Sequence, residues 1–366
     1  MLSHRERVFK TLNHEEPDRV PLDDAWMAYV RLDVWDAIKR YLNVEDDEKV
    51  RRYLGIDFRY LVMDPSEKFK KNAKFYYPFG LFKPAESGLL EDEWGVKYQI
   101  TGNGLYLRYY YHPLANADVD DLDQYEFPSL DAPGRFDEAE KTAKKFKDLY
   151  VLEGFLHQTL FEWAWALRGF NRFLRDLYTN ERFVNKLLDR LVKYRIDIGK
   201  RLIDIGADIL QLGDDFGMQT GMIVPPHIWR KYFKPRMKII IDTLKSYSRN
   251  SIYIFYHSDG YIEPIIPDLI EIGVQILNPI QPECMNPAEI KKKYGDKLVL
   301  HATISVQTTL PRGTVEDVKK EVISRIRECG RGGGLILAPT HAPQPGTPIE
   351  NIIALYEAAQ KFALKM

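Results

Sequence analysis

His257 and Asp259, within the stretch SIYIFYHSDGYIEP (251–264), place an imidazole and a carboxylate two residues apart. The β-formers Ile252-Tyr253-Ile254-Phe255-Tyr256 precede them, and a helical pattern begins at Tyr261. Such a pair, just past the C-terminal end of a strand, stands where α/β proteins carry chemistry. A capping turn is the competing use, with Asp259 accepting helix N–H bonds and Gly260 supplying the bend. His341, just after the last strand-like run, offers a second imidazole. His257, Asp259 and His341 together give two nitrogens and one oxygen. That set suits zinc or another divalent cation such as ferrous iron, with positions left for water or substrate. No GxSxG elbow and no catalytic-cysteine context occurs.

More polar residues fall just after predicted strands: Asp64, His157 and Glu162, Asp214 and Asp215, Asn278, His301 and Thr340. Glu162, Asp214 and Asp215 are candidates for handling or orienting protons. His301 is open between a site residue and a satisfied core histidine. What gathers all of them is the order of elements. From Ala132 onward the chain alternates helix-length segments with the strand-like runs at Tyr150–Gly154, Ile209–Leu212, Ile252–Tyr256, Val274–Asn278, Leu298–His301 and Leu335–Ala338. Val20–Leu22 and Arg59–Met63 add earlier ones. The count predicts a TIM (β/α)8 barrel, whose polar strand ends share one face. A doubly wound open sheet is disfavoured, because no glycine-rich phosphate loop follows an early strand and Gly332-Gly333-Gly334 precedes one.

The spacing also predicts two helices across Phe161–Ile205, one helix over His227–Tyr247, and capping boxes at Ser3/Glu6 and Thr347/Glu350. Residues from about 75 to 130 are rich in Tyr, Phe and Gly, with alternation on both sides of Gly102-Asn103-Gly104. They read as an aromatic β-hairpin insertion in a single domain spanning 1–366, their tyrosines serving sheet packing.

Lys plus Arg total 52 and Asp plus Glu 53, a net charge of −1 that gives no electrostatic reason to expect nucleic acid or an anionic membrane as partner. Two cysteines imply no disulfide framework. With no apolar leader and no run near the ~20 residues needed to span a bilayer, a cytoplasmic location is expected.

The segments RERVFKTLNHEEPDRVP, LFEWAWALRGF, DILQLGDDFGMQTGMIVPPHIWRKYFKP and GGLILAPTHAPQPGTPIENI carry a resemblance to the uroporphyrinogen decarboxylase superfamily along nearly the full chain. The resemblance implies a TIM barrel and one of two chemistries. These are haem-pathway decarboxylation and zinc-dependent methyl transfer between a corrinoid protein and coenzyme M or tetrahydrofolate. The decarboxylases hold substrate carboxylates with an arginine-rich RQAGR motif; the matching place here begins Asp23-Asp24-Ala25-Trp26 and would repel polyanions. By the same resemblance Asp64 matches a pyrrole-binding aspartate, His341 an active-site histidine, and Trp165 stands where a tyrosine is kept.

The methyltransferases carry His-x-Cys-Gly and a second cysteine near the last strand. Here these positions read His257-Ser258-Asp259-Gly260 and His341, so both thiolates are replaced. The resemblance therefore implies metal-assisted methyl transfer or demethylation. Its partners would be a corrinoid-carrying protein and a small-molecule methyl donor or acceptor, a pterin or a thiol. Asp23, Trp165, Asn278 and His301 are the expected cofactor-side residues. Uroporphyrinogen decarboxylation is the alternative, and a non-catalytic binding protein on the same fold the second. A homodimer is left open.

Overall fold

The computed structural model describes residues 2–77, 80–104 and 106–362. Seven strands form one parallel sheet in sequence order. They are β1 (Phe58–Leu61), β2 (Val151–Phe155), β3 (Ile209–Gly213), β4 (Tyr253–His257), β5 (Ile276–Asn278), β6 (Val299–His301) and β7 (Leu335–Ile336). Closure comes from the segment 20–22. Leu22 makes a parallel bridge with Leu337, and its carbonyl accepts from the Asp57 amide at 2.9 Å, just ahead of β1. The two sheet edges meet there, giving the expected barrel.

Side-chain alternation sorts the strands into an inside and an outside. Phe58, Tyr60, Val151, Ile209, Phe255, Ile276, Val299 and Ile336 form one buried cluster in the interior, with Trp26. Their neighbours Leu152, Leu210, Ile254, Leu277 and Leu300 belong to the larger cluster shared with the helices. Strands buried on both faces explain why these runs read as nearly continuous apolar sequence.

The helices depart from expectation where a backbone rule intervenes. Phe161–Ile205 holds three, Phe161–Arg168, Phe170–Thr179 and Glu181–Ile205. Gly169 ends the first at φ 90°, and the Asn180 side chain caps the third through Phe183 N–H. The segment 227–247 splits into Pro226–Tyr232 and Lys234–Tyr247, because Pro235 cannot donate to the preceding turn. The Ser3/Glu6 capping box forms, whereas the final helix Ile349–Lys361 begins after Pro348 with no side-chain cap.

Between β1 and β2 lies a second sheet of five antiparallel strands, Lys74–Tyr76, Gly80–Pro84, Leu90–Glu91, Lys97–Thr101 and Tyr106–Tyr111. Lys97–Thr101 and Tyr106–Tyr111 pair antiparallel; Leu105 between them is outside the described residues. Trp94 stacks on Trp163 at 4.2 Å between ring centroids, and Tyr109 meets Trp165 edge-on at 4.6 Å. Tyr98 is buried, while Tyr106 and Tyr110 are exposed. This sheet therefore braces the helix Phe161–Arg168, which carries Glu162. Among the described residues no helix is long and apolar enough to cross a membrane.

Candidate functional site

β3 and β4 are in register at Gly213 and His257, so the loops leaving them start side by side. The loops then touch backbone to backbone. A Cβ on Gly217 would lie 2.3 Å from the Asp259 carbonyl oxygen, and Gly260, at φ 80°, leaves equally little room against Gly217. Only glycine fits such an approach. It brings Asp215 beside Asp259, whose amide donates to Asp215 Oδ1 at 2.9 Å. His257 Nε2 lies 3.4 Å from Asp215 Oδ1 and 3.9 Å from Asp259 Oδ1.

Asp215, His257 and Asp259 each offer one ligand atom, all within 4.8 Å of one another. Asp259 Oδ1 is buried without a hydrogen-bond partner. Its carboxylate does not cap a helix, since the helical turn that follows, Glu263–Ile265, starts after Ile262 with no side-chain cap. An unpartnered carboxylate oxygen, a second carboxylate and an imidazole are donors that fit a divalent cation, and two carboxylates balance its charge. The third member of this cluster is Asp215. His341 stands on the same face, outside the cluster, with Nδ1 3.2 Å from the Ala342 carbonyl oxygen.

Charge is sharply divided across the site. Burial opposes the imidazolium form of His257, but its hydrogen bond to Asp215 and the charge of Asp259 prevail and push it up to about 9. Asp215 is held well below the usual carboxylate range: burial works against this, and the bond and charge of His257 overcome it. Asp259 is raised by burial, against the lowering charge of His257, with Asp215 adding to the rise. Glu162 is raised well above the usual carboxylate range by burial and by the charges of Asp215 and Asp214. Its Oε2 accepts from Asp215 N–H at 3.2 Å and lies 3.6 Å from His157 Nε2. His157, edge-on to His257 at 4.6 Å, is lowered to about 3 by burial and by the charge of His257, and stays neutral.

Asp214 faces the other way. It accepts from Leu160 and Glu162 amides at 3.0 Å and so caps the helix Phe161–Arg168 from a neighbouring strand. Burial drives it up to about 7 against those same bonds. Asp64 is ion-paired with Lys70 at 2.7 Å. Trp165 faces the antiparallel sheet, against Tyr109 and Phe170. Asn278 and His301 are fully buried and bonded to each other at 2.7 Å. Asp23 and Asp24 are also fully buried, hydrogen-bonded to Tyr60, so the acidic pair does not face polyanions at the barrel mouth.

Two residues with no assigned role in the sequence belong to this region. His157 follows β2 as the other strand-end histidines follow theirs. Glu153 is fully buried inside the barrel, pushed well up by burial and by the charge of Asp23. Its signal is a lone acid inside the apolar run VLEGF.

A closed parallel barrel, with acids and imidazoles gathered past the C-terminal ends of its strands, is the architecture of barrel enzymes. The uroporphyrinogen decarboxylase (URO-D) family matches residues 95–362, and the chain belongs to it. It is 27% identical over 175 residues, 48% of each chain, to the methylcobamide:CoM methyltransferase MtaA of Methanosarcina barkeri. It is 24% identical over 194 residues to the uroporphyrinogen decarboxylase of Coxiella burnetii, 52% of this chain and 50% of that one. The chain spans about half the length of these curated relatives. A solved methyltransferase from Methanosarcina mazei shares the fold, with a TM-score of 0.68, 18% identity and 99% of both chains covered.

Proposed function

We propose that this chain is a metal-assisted methyltransferase that exchanges a methyl group with a corrinoid carried by a partner protein. The observation that carries this reading is the group Asp215, His257 and Asp259, with its unpartnered Asp259 oxygen, at the C-terminal mouth of a URO-D-family barrel. The likeness to a methylcobamide:CoM methyltransferase supports the choice of reaction. These three residues would hold a zinc-type cation, which supplies Lewis-acid polarisation of the acceptor's thiol or nitrogen.

The chain's own groups handle the rest. His157, neutral and close to His257, is placed to accept a hydrogen bond from the acceptor's thiol or nitrogen, whose proton passes to solvent because an imidazole lowered to about 3 does not retain it. Glu162, raised by burial and 3.6 Å from His157, orients that imidazole. Asp214 fixes Glu162 by capping its helix. The exposed tyrosines Tyr106 and Tyr110 of the antiparallel sheet would offer a corrinoid carrier an aromatic surface.

The test uses methylcobalamin as donor and a panel of thiol and pterin acceptors, followed by loss of the methylcobalamin absorbance under anaerobic conditions. Turnover is expected with at least one acceptor, lost on chelation and in His257→Ala. The decarboxylase reading, favoured by the Coxiella relative, is tested in parallel. Formation of coproporphyrinogen from uroporphyrinogen without metal overturns the methyltransferase proposal.

A further inference from the structure

Below the candidate metal group runs a continuous hydrogen-bonded chain of four buried side chains, from β4, β5, β6 and the seam that follows Leu22. His257 Nδ1 is 2.5 Å from Asn278 Oδ1. Asn278 Nδ2 is 2.7 Å from His301 Nδ1. His301 Nε2 is 2.8 Å from Asp23 Oδ2. Exposure along the chain is 4% at His257, 1% at Asn278 and 0% at both His301 and Asp23, so water does not compete for these bonds. Trp26 holds the rings in place, stacked on His301 at 6.4 Å and edge-on to His257 at 5.6 Å between centroids.

The chain has a direction, and Asp23 sets it. A carboxylate only accepts, so His301 Nε2 must donate to it. At its other nitrogen, Nδ1, the Asn278 NH2 lies 2.7 Å away and can only donate, so Nδ1 of His301 accepts. The Asn278 carbonyl is left facing His257, which must donate from Nδ1. Nε2 of His257 is thereby the atom that faces Asp215 and Asp259, and the one that gives up its proton when a cation binds. Reversing the amide would put a lone pair on His257 Nδ1 and a hydrogen on Nε2, and that ring could not bind a cation through Nε2.

We infer that Asp23, His301 and Asn278 are positioning residues that lock His257 into the one tautomer able to ligate a metal through Nε2. This rests on the metal reading above. It gives Asp23, Asn278 and His301 a role remote from substrate, acting through His257. Partners that donate or accept at the second nitrogen of a ligating imidazole typically carry 10–100-fold in metal affinity.

The experiment is a titration of the metal-free protein with Co2+, read by its d–d absorbance, for wild type and for Asn278→Ala, His301→Ala and His301→Gln. The alanine variants are expected to bind about 10–100-fold more weakly, with shifted bands. His301→Gln is expected to recover most of the affinity, since a glutamine amide can accept from Asn278 and donate to Asp23. Nitrogen-15 histidine spectra of the zinc-loaded wild type give an independent readout should a variant fail to fold. They are expected to show His301 protonated at Nε2 and His257 at Nδ1. Unchanged affinity and bands in the alanine variants, or the opposite tautomers in the wild type, overturn the relay and leave the metal site standing. A wild type that binds no Co2+ overturns both.

Discussion

At Asp259 the carboxylate caps no helix, and a metal-ligand role and a purely structural one predict opposite outcomes for Asp259→Asn. Its Oδ1 is buried without a partner, and the Asp215 charge beside it contributes to a raised pKa. Removing the charge therefore relieves the metal-free protein while weakening metal binding. The chelated variant is expected to melt at or above the wild-type temperature, and to gain less on zinc addition. A chelated variant that melts well below the wild type would show the carboxylate to be structural instead. The pairing of His257 with Asp259 was legible because two chemically capable residues sat just past a strand. Which of Asp214 and Asp215 joins them was not, since adjacent residues in a loop carry no signal for direction. Only in the fold does Asp215 turn to the site, where it meets the Asp259 amide, and Asp214 to the amides of residues 160 and 162.

Element by element, the antiparallel sheet is the part whose stability bears on the site without touching it, because it braces the helix of Glu162. Asp92 organises its tight turn. Oδ1 accepts from Trp94 and Val96 amides at 2.9 and 3.0 Å, and Oδ2 from the Tyr98 hydroxyl at 2.7 Å. Burial nevertheless dominates these bonds and raises Asp92 from 3.8 to about 6. A raised folded-state pKa means that this contribution to stability is fully present below 3.8 and is lost as pH rises through about 6. In urea unfolding followed from pH 3.5 to 7, Asp92→Asn should lack that loss. Its stability relative to wild type should climb across the window by up to about 3 kcal/mol, the equivalent of roughly two pH units. A difference that stays flat with pH would mean the carboxylate ionises freely in the folded sheet. Alternation made these strands visible in the sequence. The partner they brace was hidden, because Trp94 and Trp163 are neighbours only after the chain has folded.

For the whole molecule, closing the barrel and assembling the site are one event. The strand order β1 to β7 was legible as alternation, and the short run Val20–Leu22 at the seam could be read as well, but its hold comes from a carboxylate elsewhere that no local pattern shows. Asp57, fully buried ahead of β1, accepts from His4 Nδ1 at 2.6 Å, Arg7 Nη1 at 2.9 Å, Arg19 Nη1 at 2.8 Å and the Leu22 amide at 2.8 Å. One residue past Leu22 is Asp23, the anchor of the chain that orients His257. Asp57→Asn keeps the shape but leaves the Arg7 and Arg19 charges facing a neutral amide. Breaking a buried ion pair from one side costs about 3–5 kcal/mol, and that loss is expected in urea unfolding. The folded remainder should also exchange the Leu22 and Asp23 amide hydrogens faster and bind Co2+ more weakly, although no residue near the metal group has changed. Were the Leu22 and Asp23 amides to stay protected while global stability fell, Asp57 would be holding only the first helix, and the seam would have to be closed by the Leu22–Leu337 pairing alone.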